Sequence, residues 1–114
     1  MSGHRLPPAA SRAEDAGGGR LRLPAAERNK DAIATLVTDL LSGIAKGRAL
    51  EIASGAGQHI VEHARRNPHI LWQPSEVDPA RRASIDLYAR DAGLPNILPA
   101  LTLDATRPGW SEET

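Results

Sequence analysis

The spacing of apolar residues near the start of the chain predicts an amphipathic helix. Between residues 24 and 44 the apolar side chains recur at intervals of three and four, which places them on one helix face. They are Ile33, Leu36, Val37, Leu40, Leu41 and Ile44. Pro24 suits the first turn of a helix and Gly43 suits its end. We therefore expect a helix over residues 25–42 that packs against another element.

Three short apolar runs predict strands. Residues 48–53, "RALEIA", are apolar after the arginine except for Glu51, which is typical of a strand buried on both faces of a parallel sheet. Residues 69–77 predict a second strand and residues 96–103 a third. Pro99 removes a backbone donor from the third run, so we expect this strand at an edge of the sheet.

Two further helices are expected between these strands. Residues 57–66 have a helical pattern, and Asp78-Pro79 supplies an N-cap followed by a proline at the first helical position. The helix that they open is expected to end at Gly93. Helices and strands then alternate, which predicts an α/β fold of the Rossmann-like type, a three-layer sandwich. Right-handed crossovers give a parallel sheet in the order 3-2-1.

Composition limits the classes of function. Residues 1–23 are rich in Pro, Ala, Gly and Arg without a period, which predicts a disordered tail before an ordered unit over residues 24–114. The chain has 14 Lys+Arg against 14 Asp+Glu, so no charge excess indicates nucleic acid or an anionic membrane. The absence of cysteine excludes disulfides and thiolate chemistry. With no apolar run of membrane-spanning length, a cytoplasmic protein is expected.

Acidic residues are predicted to meet beside a glycine-rich turn. Gly55 and Gly57 follow the first strand, where Rossmann-type folds bind nucleotide-like ligands. Glu51 precedes them, and Asp78 and Asp104 follow the second and third strands at the same sheet edge. Three carboxylates would repel a pyrophosphate but favour a ligand with a ribose, an adenine and a positive charge. This pattern points to S-adenosyl-L-methionine as cofactor, rather than to NAD.

Five segments also carry a resemblance to a known family. They are "AAERNKD", "LEIASGAGQH", "WQPSEVDP", "AGLPNI" and "LTLDAT". The second resembles the first motif of class I S-adenosylmethionine-dependent methyltransferases, and together they resemble the methyltransferase-like protein 26 family from about Pro24 to Trp110. One position departs from the general superfamily motif, because Ala53 stands where that motif has a glycine.

The resemblance implies roles for the residues at the matching positions. Gly55 and Gly57 would line the methionine part of the cofactor, and Glu51 would approach its ammonium group. Asp78 would bind the ribose hydroxyls and Asp104 the adenine amine. Asn29 and Lys30, which lie within the family's "ERNKD" segment, would border the cofactor pocket.

The resemblance also implies that the chain supplies only the N-terminal, cofactor-binding half of the family's fold. The fourth strand and the elements that close the acceptor pocket are expected to be missing, so we expect a chain too short to be active alone. The catalytic residue and the methyl acceptor remain unassigned. The alternative is a non-enzymatic fragment or association module that self-associates through the exposed first strand.

Structural explanations compete with some of these roles. Asp78 is a good helix N-cap without any ligand, and Asp104 before Ala-Thr is typical of a turn.

A rival motif is "HIVEH", in which His59 and His63 would share a helix face as zinc ligands with Glu62 as the base of a zinc peptidase.

Overall fold

The computed structural model describes residues 13–109. Two short strands come first, followed by three helices that alternate with two longer strands. The elements are β1 (Glu14–Gly17), β2 (Arg20–Arg22), α1 (Pro24–Leu41), β3 (Gly47–Glu51), α2 (Gln58–Arg66), β4 (Ile70–Pro74) and α3 (Pro79–Ala92). This is an α/β arrangement, as the alternation of patterns predicts.

The first helix forms where the apolar spacing predicts it. α1 has a proline in its first turn, and the predicted helix over residues 25–42 is confirmed. Val37 and Leu41 pack against the hydrophobic core. Leu36 and Leu40, from the same apolar stripe, are 60% and 73% exposed. The core therefore covers only part of the apolar face of α1 within residues 13–109.

The two longer strands pair in parallel along all five residues of each. The predicted third strand, residues 96–103, reaches β4 only through isolated parallel bridges, which join Trp72 to Ile97 and Ser75 to Leu101. A proline within this segment removes one of the backbone donors that a continuous ladder needs. The parallel direction agrees with the sequence pattern, and the strand order 3-2-1 stays a prediction.

One hydrophobic core lies between the helices and one face of β3 and β4. Its centre consists of Ile60, Ala64, Ile70, Trp72 and Ile85, which come from α2, β4 and α3. Side chains of α1 and Ala49 of β3 pack around this centre. All three helices therefore bury their apolar residues against the same face of the strand pair.

The opposite face of the strand pair is open within residues 13–109. Leu50, Leu71, Gln73 and Leu98 line a shallow cavity of about 340 Å³ on that side. Leu50 and Ile52 are exposed, so the prediction that this strand is buried on both faces is wrong. Burial on both faces requires helices on both sides, and the described residues supply them on one side only. The three-layer arrangement is accordingly not formed by these residues.

The N-terminal segment is more ordered than its composition predicts. The prediction of a disordered tail fails for residues 14–22, which form an antiparallel hairpin of β1 and β2. The hairpin is attached to α3: the Leu21 N–H donates to Ser84 Oγ at 2.7 Å, and the Tyr88 hydroxyl donates to the Leu21 carbonyl at 2.9 Å. These long-range partners, rather than local propensity, order the segment. The rest of the predicted tail, residues 1–12, lies outside the described residues.

None of the helices in residues 13–109 combines the length and apolar character that a membrane span requires.

Candidate functional site

The glycine turn between β3 and α2 has a backbone that only small residues accept. Ala53, Gly55 and Gly57 all have positive φ, at 55°, 67° and 111°. A Cβ atom added to Gly57 would lie 3.0 Å from the Cα of Ile85, so the turn also packs directly on α3. Ala53 is the one non-glycine residue with positive φ among residues 13–109. A glycine would adopt this backbone conformation without the steric cost of a Cβ atom.

Side chains from distant parts of the chain hold this turn in place. The Gly55 N–H donates to Oε1 of Glu76 at 3.0 Å, and the Ser84 hydroxyl donates to the carbonyl of Ala56 at 2.8 Å. The Ser54 N–H donates to the carbonyl of Ser75 at 2.8 Å. The turn is therefore fixed by the end of β4 and by α3 before any ligand binds.

A cavity of about 220 Å³ lies between the glycine turn and the start of α1. Its walls include Asn29 from α1, Gly55 from the turn and His59 from α2. The structure thus brings together Asn29 and Gly55, which the resemblance assigned to one pocket. Lys30 instead lines a neighbouring cavity of about 350 Å³ that includes Gly57, and it forms an ion pair with Glu27 at 3.2 Å.

The side chain of Gln58 connects the start of α1 to the glycine turn by hydrogen bonds. The sequence analysis missed this role. Its Oε1 accepts from the Leu23 N–H at 2.8 Å, and its Nε2 donates to the Glu27 carboxylate at 2.6 Å. No local pattern marks Gln58 for this role, because both partners precede it by about thirty residues in the sequence. The wall of the cavity formed by α1 depends on these contacts.

Glu51 lies at the end of β3 on the helix-covered side, with a side chain that is 19% exposed. Its Oε1 is buried and has no hydrogen-bond partner among residues 13–109. Burial raises the pKa of the Glu51 carboxyl to about 7, and the Ser54 side chain partly offsets this rise. The buried Oε1 therefore has no hydrogen-bond donor among residues 13–109, and a cation or donor beside it would stabilise the charged form of Glu51.

Two acids lie between β4 and α3. Asp78 caps the helix, and Glu76 contacts the glycine turn. The Asp78 carboxylate accepts from the Ala80 N–H at 2.9 Å and so acts as the N-cap of α3. Glu76 is almost fully buried and accepts from the N–H groups of Gly55 and Asp78, at 3.0 and 3.1 Å. The acid that joins the glycine turn to the start of α3 is therefore Glu76. The Asp78-Pro79 pair predicted this N-cap, which is confirmed, whereas no local pattern marked Glu76 for its contact with the glycine turn.

Asp104 makes the local turn that its sequence also suggested. Its Oδ1 accepts from the N–H of Thr106 at 3.0 Å and from the hydroxyl of the same residue. These hydrogen bonds lower the pKa of the Asp104 carboxyl. These contacts connect Asp104 to its own loop rather than to Glu51 or Glu76.

The "HIVEH" segment lies in α2 without the geometry of a zinc site. Glu62, the expected base, is engaged by Arg65 and Arg66 at 2.8 and 2.9 Å. The His59 and His63 rings stack with centroids 6.0 Å apart. Within residues 13–109 no group of three or more His, Cys, Asp or Glu side chains could hold a metal ion. The zinc peptidase alternative therefore has no support in this part of the chain.

Comparison with protein families gives a match over most of the chain. The family model described as "Protein of unknown function (DUF938)" matches residues 20–114. The match begins at β2 and includes α1, the glycine turn and the acids at the end of β4. The chain therefore belongs to the DUF938 family of proteins of unknown function.

Proposed function

We propose that the chain is the cofactor-binding half of an S-adenosyl-L-methionine-dependent methyltransferase of the methyltransferase-like protein 26 type. The observation that carries this proposal is the buried, unpartnered Oε1 of Glu51 behind a glycine turn whose backbone is already shaped. A buried carboxylate is stable in its charged form when a cation pairs with it. The ammonium group of the cofactor's methionine part is such a cation.

The neighbouring acids favour the same class of ligand. Glu51 and Glu76 flank the turn, and Asp78 follows at the start of α3. Such a site disfavours the pyrophosphate of a dinucleotide by charge repulsion. Carboxylates accept hydrogen bonds from ribose hydroxyls and from a charged ammonium group. The site thus suits a cationic nucleoside better than an anionic one.

The positions of the residues support the proposed cofactor roles. Gly55 and Asn29 face one cavity and are proposed to line the methionine part, with Gly57 and Lys30 bordering the adjoining cavity. The cavity of about 220 Å³ is smaller than the roughly 300–1,000 Å³ usual for whole-ligand pockets, so it would take only part of the cofactor.

Two acids compete for the ribose. We add Glu76 to Asp78 as a candidate for the ribose hydroxyls, because Glu76 contacts the turn directly. Asp104 remains the candidate for the adenine amine. The catalytic residue and the methyl acceptor stay unassigned.

The finer features of the fold belong to the same proposal. A complete methyltransferase sheet would continue the order 3-2-1 with further strands beside β3 and would place a helix layer on its open face. The exposed side chains Leu50 and Ile52 are consistent with such a layer. A cytoplasmic location also remains part of the proposal.

Calorimetric titration of the full chain with S-adenosylhomocysteine tests the cofactor claim. We expect saturable binding, and we expect Glu76→Gln to weaken it by about 10- to 100-fold, because a hydrogen bond to a charged group contributes about 1.5–3 kcal/mol. Asp78→Asn tests the competing ribose ligand in the same way. Asp31→Asn, an exposed substitution in α1, is the matched control and should bind like the wild type. No heat of binding up to about 1 mM ligand, on protein shown to be folded, would refute the proposal.

A second candidate function is association through the exposed edge and open face of β3. Leu50 and Ile52 are exposed there, and the edge of β3 away from β4 has no partner strand in residues 13–109. Such an edge is a template for another strand. Light scattering should show self-association that Leu50→Lys reduces, whereas the control Leu40→Lys on α1 leaves it unchanged. A wild type that stays monomeric at all concentrations would contradict this candidate.

A further inference from the structure

Four buried polar atoms without a hydrogen-bond partner lie in one part of the molecule. Among residues 13–109 they are Oε1 of Glu51, Nδ1 of His59, Nδ1 of His63 and Nε1 of Trp72. A buried polar atom left unpaired costs about 1–3 kcal/mol, so folded proteins contain few of them. Their concentration behind the glycine turn indicates a functional constraint on these side chains.

The four side chains form a connected column. The His63 ring stacks on Trp72 with centroids 5.2 Å apart and on His59 at 6.0 Å. Its Nε2 lies 3.8 Å from Oε2 of Glu51. The column runs from the buried Trp72 to His59, which lines the cavity beside the turn. A movement of about 1 Å brings Nε2 and Oε2 within hydrogen-bond distance.

The charges around His63 favour a neutral ring. Burial lowers the pKa of His63, and the neighbouring His59 and Arg66 lower it further, while Glu62 raises it. Burial and Lys30 also lower the pKa of His59. Glu62 is itself paired with arginines on the same helix. These effects together favour the neutral ring, in which a single proton resides on one of the two nitrogens.

A neutral histidine can form a hydrogen bond with a neighbouring carboxyl group whether that carboxyl group is protonated or ionised. A protonated Glu51 donates to Nε2, which requires the ring proton on Nδ1. An ionised Glu51 accepts from Nε2–H, which requires the ring proton on Nε2. On ionisation the carboxyl proton passes to Nε2 and the Nδ1 proton leaves toward solvent, so one proton is released and the ring stays neutral. His59, which stacks on His63, borders the cavity beside the glycine turn.

We propose that His63 is a positioning residue for Glu51 that moves its ring proton from Nδ1 to Nε2 when an ammonium group binds beside the carboxylate. The identity of that ammonium, the methionine part of the cofactor, rests on the proposed function. The exchange between the two neutral forms of His63 depends only on the Glu51–His63 pair.

Nitrogen NMR of the histidine rings in the full, ¹⁵N-labelled chain tests the pair without a ligand. Between about pH 6 and 8, where Glu51 ionises, the wild-type His63 signals should change from the Nδ1–H pattern to the Nε2–H pattern. Glu51→Gln should remove this change, and the control His69→Gln should leave it intact. A His63 ring that keeps one form throughout, or that changes equally in Glu51→Gln, overturns the inference.

Adding S-adenosylhomocysteine tests the coupling to a ligand. At about pH 6.5 saturating ligand should convert wild-type His63 to the Nε2–H form. Binding without this conversion overturns the inference and leaves the proposed function standing. Failure of the ligand to bind at all overturns the proposed function and the ligand-driven step, while the ligand-free titration still decides whether the Glu51–His63 pair exists.

Substitutions at His63 separate positioning from a purely structural role. Glutamine can donate to an ionised carboxylate and accept from a protonated one, so His63→Gln should keep the affinity at about pH 8 within about threefold. His63→Leu, if folded, should lose about tenfold, because it offers no hydrogen bond. Equal affinities of the wild type and His63→Leu would overturn the inference. If His63→Leu does not fold, the test rests on folded His63→Gln. A loss of ligand affinity of about tenfold or more in that variant would then overturn the inference.

Discussion

Replacing Ala53 with glycine is expected to stabilise the folded chain. Ala53 has φ of 55°, in the left-handed region, and its side chain is exposed. A non-glycine residue there costs about 1–2 kcal/mol. Glycine removes this cost but adds about 0.4–1 kcal/mol of unfolded-chain entropy. The net gain should be about 1 kcal/mol in the free energy of unfolding, because no buried methyl group is lost.

Urea and thermal unfolding of the two proteins measure this gain. A stabilisation of 1 kcal/mol should raise Tm by about 4–8 °C in a domain of this size. The matched control is Ala45→Gly, an exposed alanine in a bend whose φ is not positive. It should destabilise the chain by about 0.4–1 kcal/mol, because only the entropy term applies. If Ala53→Gly destabilises the chain as much as Ala45→Gly does, the reasoning from backbone strain is wrong.

Three further outcomes are expected. Gly57→Ala should destabilise the chain by about 2 kcal/mol or more in urea unfolding, since φ is 111° and the new Cβ would lie 3.0 Å from the Ile85 backbone; a neutral effect would contradict the packing of the turn on α3. Ser84→Ala should cost about 1–3 kcal/mol and lower amide-exchange protection at Leu21, because its hydroxyl accepts from that N–H; unchanged protection would argue against this contact. The raised pKa of Glu51 means that the folded state binds its proton more tightly than the unfolded state, so this contribution to stability is present below about pH 4.5 and is lost as pH rises through about 7. The wild type should therefore lose up to about 3 kcal/mol relative to Glu51→Gln across this interval, and parallel stability curves for the two proteins would rule the effect out.

The local features of this protein could be predicted from the sequence alone. The intervals of three and four in α1, the Asp78-Pro79 pair before α3 and the glycines after β3 each act within a few residues. Periodicity, capping and positive φ are properties of short segments, so a linear pattern contains them. Gly93 likewise ends α3 in the left-handed conformation that a glycine C-cap adopts.

The candidate site depended on contacts between distant segments. Gly55 and its acceptor Glu76 are 21 residues apart, and Leu21 and Ser84 are 63 residues apart. The sequence pattern selected Asp78 as a site acid because of its distance along the chain from the glycine turn. The structure shows that the acid in contact with the glycine turn is Glu76.

The sequence by itself determined where the three helices, β3, β4 and the glycine turn lie. Only the tertiary structure decided that β1 and β2 are ordered, that β3 is covered on one face and that His63 lies beside Glu51. The physical reason is that burial and pKa depend on what packs around a group in three dimensions. The carboxylate of Glu51 within an apolar run could be identified from the sequence, but its unpaired oxygen and its histidine neighbour follow from how α2 packs on β3 and β4.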